Sequence, residues 1–263
     1  DSVRAVGDHP GAMITLKSAH ELALMRDAGR IVAEVLAEIR ETVSPGVTTA
    51  DLEAIADRII VGKYAAIPSF KGYRGFPAMV CASVNEEIVH GIPRQRVLNE
   101  GDIVSVDVGV IYKGFHGDSA ITVAVGEIDA ESQRLMDVTA ESLRVGIEAA
   151  KPGDWTTDIS KAIQACVESQ GYSVVREYTG HGIGREMHED PQIPNYSEPR
   201  LGKRVRLRPG MTFALEPMVN IGDWRTRVLA DRWTVVTADG TRSAHFEHTV
   251  AVTKNGPEIL TSL

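Results

Sequence analysis

The chain has 263 residues, 28 basic and 36 acidic side chains and a net charge of −8, with 43% apolar and 24% charged residues. That mix supports a full hydrophobic core and excludes intrinsic disorder, and the acidic balance argues against a dedicated nucleic-acid binder. No run reaches the roughly 18 apolar residues of a membrane span, and even IVAEVLAEI is broken by Glu34 and Glu38. The opening DSVRAVGDHPGAM lacks the charged-then-apolar order of a secretory leader. Two cysteines, Cys81 and Cys166, are too few for a disulfide framework. These features lead us to expect a cytoplasmic protein with a tail at 1–12 and one domain over 13–263.

In chain order, Ser18-x-x-Glu21 reads as a capping box, followed at helical spacing by Leu22, Met25, Val32, Val35, Leu36 and Ile39. Pro45-Gly46 stops that helix, and Asp51 onward predicts a second. Strand patterns follow in DIVSVDVGVIY and SAITVAV. Two more helices are predicted at roughly 130–150 and 157–170, with Gly171 as the stop, and then strands in TFALEPMV, WTVVTA and HTVAVT. The helix pairs repeat each other. Ala33-Glu34-Val35-Leu36 returns as Ala140-Glu141-Ser142-Leu143, and P-G-x-x-T-x-D-[LI] runs from Pro45 and again from Pro152, all at an offset of 107. The expectation is an α+β fold of two related halves, about 18–125 and 126–263, with helices outside a curved, mainly antiparallel sheet.

Asp107 lies inside the apolar strand Val104–Val110, where a lone carboxylate is expensive to bury. A turn at Lys113-Gly114 would set Asp107 opposite Asp118, and like charges so placed repel unless a cation lies between them. The second half repeats the pattern. Gly101 precedes Asp107 by six residues and Gly210 precedes Glu216 by six, while Asp118 and Glu247 each lead into a strand. Four such acids suit two divalent ions. Among the histidines, Gly-flanked His181 is a candidate nitrogen ligand. His90 in VHGIP and His188 in MHEDP could pass protons to a substrate. His116 and His248 abut Asp118 and Glu247 and are expected to support them, whereas His9, His20 and His245 read as structural.

VHGIP, VDVGV with HGDSA eleven positions on, GHGIG-x3-HEDP, LEPM and FEHT together resemble the signatures of methionine aminopeptidase type I, in order, from about residue 13 to 261. The resemblance implies a cytosolic, monomeric metallopeptidase of the pita-bread fold that removes the initiator methionine of nascent chains when the second residue is small. It implies two divalent ions (Co, Mn, Fe or Zn) on Asp107, Asp118, His181, Glu216 and Glu247, with Asp118 and Glu247 bridging. Glu216 would also be the general base, and His90 and His188 would contact the substrate. The methionine pocket would map onto Phe70, Tyr73, Phe76, Cys81, Met187 and Trp233, and a monovalent cation onto the surroundings of Asn85 and Ser243. Phe70, Phe76 and Met187 stand where the commoner bacterial pattern has Cys, Tyr and Phe, which leaves the pocket apolar. Only 28 residues separate His188 from Glu216, too few for the helical insertion of the type II enzymes. The competing readings are an Xaa-Pro aminopeptidase or prolidase of the same fold, and a metal-free binding protein that kept it. The basic run Lys203, Arg204, Arg206 and Arg208 reads as a charge-protected edge strand, or as a weak contact to ribosomal RNA.

Overall fold

Local capping chemistry starts each helix pair. The computed structural model describes residues 14–198 and 204–263, so the tail 1–12, His9 and Lys203 lie outside the described residues. Ser18 and Glu21 close the expected capping box at the head of α1 (Ala19–Thr42). Thr48 and Asp51 form another before α2 (Thr49–Asp57), which runs into a π turn at Arg58–Lys63. The second pair is α3 (Ala130–Glu148) and α4 (Thr156–Glu168). The offset of 107 survives into the backbone: Gly46 and Gly153 turn at φ 98° and 96°, and Thr49 and Thr156 are each the first residue of a helix. Asp51 and Asp158 accept the backbone N–H three residues before them, at 2.8 and 3.0 Å.

The strands are β1 (Ile67–Pro68), β2 (Val80–Val84), β3 (Glu87–Val89), β4 (Ile103–Tyr112) and β5 (Phe115–Ala124) in the first half. The second half adds β6 (Ser173–Val174), β7 (Gly180–Gly182), β8 (Glu189–Ile193), β9 (Thr212–Leu215), β10 (Met218–Asn220) and β11 (Thr226–Val228). It ends with β12 (Val235–Thr237), β13 (Ser243–His245), β14 (His248–Thr253) and β15 (Gly256–Ile259). All named pairings are antiparallel, as expected. The long β4–β5 hairpin carries β1 and β2 on its β4 edge, and a second sheet runs β15-β14-β9-β7-β8. Helices α1 and α2 bury Val32, Val35, Ile39, Leu52 and Ile55 against the first sheet, the π turn adds Ile59, and α3 and α4 bury Leu143, Ile159 and Ile163 against the second.

The two sheets meet along β5 and the lead into β14. Ala120 and Glu247 exchange backbone hydrogen bonds at 2.9 and 3.3 Å. The Thr249 hydroxyl accepts the Asp118 N–H at 3.0 Å and donates to the Asp118 carbonyl at 2.8 Å. Thr122 does the same for His245, at 2.9 Å each way. A shift of 129 residues maps His116, Asp118 and Ala120 onto His245, Glu247 and Thr249, so the seam is its own pseudo-twofold image.

One expectation is corrected here. Asp107 and Asp118 are not directly opposite: Asp107 pairs with Ala120, and Asp118 with Gly109. The turn is at Lys113-Gly114, both at positive φ, and its two residues pair Tyr112 with Phe115. Every pair therefore shifts, and the two acids become diagonal neighbours on the same face, still within side-chain reach.

Close helix–sheet approach depends on missing side chains. A Cβ on Gly29 of α1 would lie 2.1 Å from the Leu260 carbonyl oxygen, and one on Gly117 of β5 would lie 2.9 Å from the Gly29 nitrogen. Gly29→Ala is expected to cost about 1–3 kcal/mol through overpacking, measured by urea unfolding. A loss below about 0.5 kcal/mol would mean that α1 can slide away freely.

Candidate active site

Strand alternation aims the acids. Asp107 on β4 and Asp118 on β5 project from one face of the hairpin, and Pro217 ends the run that carries Glu216. The single predicted strand TFALEPMV is in fact two: β9 stops at Leu215, and β10 joins a different sheet with β13 and β6. Glu216 sits at that switch. The β9–β14 register, taken one residue beyond Leu215↔His248, brings Glu216 level with Glu247. Gly101 and Gly210, six residues ahead of Asp107 and Glu216, both turn at positive φ, 90° and 94°.

Two overlapping triads result. Ligand atoms of Asp118, His181 and Glu247 lie within 4.8 Å of one another, and so do those of Glu216, His245 and Glu247. His181 Nε2 is 3.3 Å from Glu216 Oε1 and 4.0 Å from Asp118 Oδ2. Asp107 touches Asp118 carboxyl to carboxyl. Burial and mutual repulsion push Asp118, Glu216 and Glu247 well above the usual carboxylate range, and burial raises Asp107 to about 7. Asp107 Oδ1, Asp118 Oδ1, Glu247 Oε1 and His245 Nε2 are buried without a hydrogen-bond partner. Unpartnered buried oxygens on converging acids are what divalent cations satisfy, so this donor set fits the metals of the resemblance. Burial also lowers His181 to about 4, and its Nδ1 donates to the Gly182 carbonyl at 2.8 Å. The imidazole is therefore neutral, with the Nε2 lone pair facing the acids.

The sequence reading missed His245. Its sequence context reads as structural, yet it is 1% exposed, and its Nε2 stands 3.8 Å from both Glu216 Oε2 and Glu247 Oε2. The signal was period 2: His245 precedes Glu247 by two residues, as His116 precedes Asp118. The expected support from His116 and His248 takes another form. Their rings bond Ser69 Oγ at 2.9 Å and Thr261 Oγ1 at 2.8 Å, rather than the neighbouring carboxylates.

Beside the acids lies an apolar cluster. Phe70, Phe76, Cys81 and Met187 are buried in one cluster with Ala78, and Tyr73, Trp233 and Ile92 pack against it. Phe76 meets Trp233 edge-on at 5.1 Å. The sequence reading did not name Ala78 or Ile92. Cys81 pairs with Asp107 across β2–β4, and burial together with the nearby acids keeps its thiol protonated. Gly109 lets this cluster approach the acids, because a Cβ there would meet Phe70 Cε1 at 2.7 Å. His188 accepts from or donates to the Tyr73 hydroxyl through Nδ1 at 2.7 Å, and its ring centroid is 4.2 Å from that of His181. His90 is held at φ 61°, a strained value for a side-chain-bearing residue, with its ring edge-on to Tyr178 at 5.6 Å.

Asn85 and Ser243 also come together, the Ser243 N–H donating to the Asn85 carbonyl at 3.0 Å. Arg204, Arg206 and Arg208 are exposed, and Arg204 stacks over Trp155 at 4.1 Å. Among the described residues, no helix interrupts the stretch between His188 and Glu216, and none is long and apolar enough to cross a membrane.

The chain is 54% identical over 249 residues to methionine aminopeptidase 1 of Bacillus subtilis, covering 95% of this chain and 99% of the relative. The crystal structure of a Thermotoga maritima methionine aminopeptidase superposes with a TM-score of 0.92 at 52% identity, covering 95% of this chain and 100% of the other. A Pyrococcus furiosus prolidase shares the fold at a TM-score of 0.76 and 22% identity, with 65% of its length and 94% of this chain covered. The fold is thus the pita-bread fold. The profile of metallopeptidase family M24 matches residues 23–254, a span that takes in most of each half and every acid of the two triads, and the chain belongs to that family.

Proposed function

We propose that the protein is a methionine aminopeptidase that removes the initiator methionine from chains whose second residue is small. The observation that carries this reading is an apolar, sulfur-containing cluster packed beside four converging carboxylates. The close relatives carry the same activity in their names.

In this reading Asp107, Asp118, His181, Glu216 and Glu247 would hold two divalent ions. Such ions, when bound, lower the pKa of water and polarise a carbonyl. The residues of the chain do the rest. Phe70, Tyr73, Phe76, Cys81, Met187 and Trp233 seat the methionine side chain. His188, braced by Tyr73, donates to the scissile carbonyl, and His90 lies beside the second residue, which favours a small side chain there. Glu216 takes the proton of the attacking water and passes it to the leaving amine. Among the triad acids it is the one open to such traffic, its side chain being 14% exposed against 4% for Asp118 and 2% for Glu247.

The same reading takes 13–263 as one catalytic domain, working as a monomer in the cytoplasm. It includes a monovalent cation near Asn85 and Ser243. Lys203, Arg204, Arg206 and Arg208 would give a salt-sensitive contact to ribosomal RNA, which the exposure of the three arginines supports.

Peptide specificity tests the reading. Met-Ala-Ser is expected to be cut and Met-Lys-Ser to be spared. Replacing the first methionine by alanine forfeits about three methylenes of burial, roughly 2 kcal/mol or about 30-fold, and misplacing the carbonyl costs more. An ion-loaded enzyme that preferred Ala-Pro or Leu-Pro substrates would instead be a prolidase-type peptidase. One that cut neither would be a binding protein.

A further inference from the structure

We infer that His245 supplies a second imidazole ligand to the metal centre, on the ion that Glu216 and Glu247 share. The inference rests on the reading that these acids bind divalent ions, and extends it to a residue outside the ligand set given above. Its basis is the second triad. Ligand atoms of Glu216, His245 and Glu247 all lie within 4.8 Å of one another, and His245 Nε2 is 3.8 Å from one oxygen of each carboxylate. That spacing is too long for a hydrogen bond. It suits a cation about 2.0–2.2 Å from each donor.

His245 is 1% exposed, and its Nε2 has no partner in the protein. A buried ring nitrogen left unpartnered is costly. The backbone holds the ring on target from both sides: the Thr122 hydroxyl bonds the His245 N–H and carbonyl at 2.9 Å each, and β13 pairs His245 with Met218. His116 stands in the pseudo-twofold related place and sets the contrast. Its Nδ1 is occupied by Ser69 Oγ at 2.9 Å, and it belongs to neither triad. The symmetry of the seam thus offers two histidines to the centre, and only the second-half one faces a pair of carboxylates unengaged.

Cobalt-loaded protein tests this without reference to turnover. An imidazole bound through one nitrogen keeps an N–H on the other, and beside paramagnetic Co(II) that proton gives a far-shifted, solvent-exchangeable NMR signal. The parent protein is expected to give two such signals, from His181 and His245. His245→Gln should leave one, and should weaken binding of one Co(II) by at least about 10-fold in calorimetry. His116→Gln should keep both signals and both affinities. A single exchangeable signal in the parent with two Co(II) bound would overturn the role of His245 and leave the five-residue site standing. Failure of the parent to bind Co(II) would overturn the site itself. Should His245→Gln not fold, the count in the parent still decides.

Discussion

Stripping divalent ions from the protein is expected to abolish turnover and to lower its melting temperature, and restoring them should return both. Four carboxylates converge in a buried site, with Asp107 Oδ1, Asp118 Oδ1 and Glu247 Oε1 unsatisfied. Without cations, burial favours their protonated forms, and Asp107 lies at about 7. The sign of the pH effect follows. Unfolded carboxylates ionise near pH 4, whereas burial keeps these protonated to higher pH in the folded, ion-free protein, Asp107 to about 7. Between those values the folded state binds more protons than the unfolded one, so stability falls as pH rises through that window. Each such group contributes up to about 1.4 kcal/mol per pH unit. The stripped protein should therefore melt lower at pH 7.5 than at pH 5, and the loaded protein should not follow that trend. A stripped protein that gained stability over that range, or kept full activity, would show that the acids are satisfied by the protein alone.

How far the site could be read beforehand depended on the kind of signal. Strand-embedded Asp107 and the two glycine-led acid patterns stood out because a carboxylate in an apolar run has no inexpensive structural explanation. The 107-residue helix repeat was visible because capping residues and positive-φ glycines are local requirements, and Gly46 and Gly153 meet them at the same φ. The β4–β5 register was off by two because a hairpin's pairing depends on turn length, and two central residues pair Tyr112 with Phe115. The split at Pro217 was harder to see. LEPM reads as a continuous apolar strand, although a missing N–H at Pro217 is what lets β9 and β10 part and leaves Glu216 at the edge of the site. His245 was passed over because a lone histidine in a strand is most often structural. The fact that bears on its role, its distance from Glu216 at the switch between two sheets, is tertiary.

Replacing that edge carboxylate gives the largest single-residue effect expected. Glu216 lies 3.3 Å from His181 Nε2, its backbone carbonyl is fixed by Asn195 Nδ2 at 3.0 Å, and its side chain is the most exposed of the triad acids. Glu216→Gln keeps this shape and one oxygen donor, but the amide cannot accept a proton. Losing a general base costs at least about 10²-fold in kcat. Because the substitution also removes a charge from the ion site, the assay belongs at saturating metal, with bound ions counted in parallel. The proposed methionine pocket draws on other residues, so KM for Met-Ala-Ser should change far less than kcat. The acidic limb of the kcat–pH profile, set by protonation of the base, should disappear with the carboxylate. Asp107→Asn makes the contrast: it should lower affinity for one ion while leaving kcat, once that ion is restored, closer to the parent. A Glu216→Gln enzyme that held both ions and kept near-full kcat would move the proton-accepting role to another group beside the acids, with His188, in ring contact with His181, as one alternative.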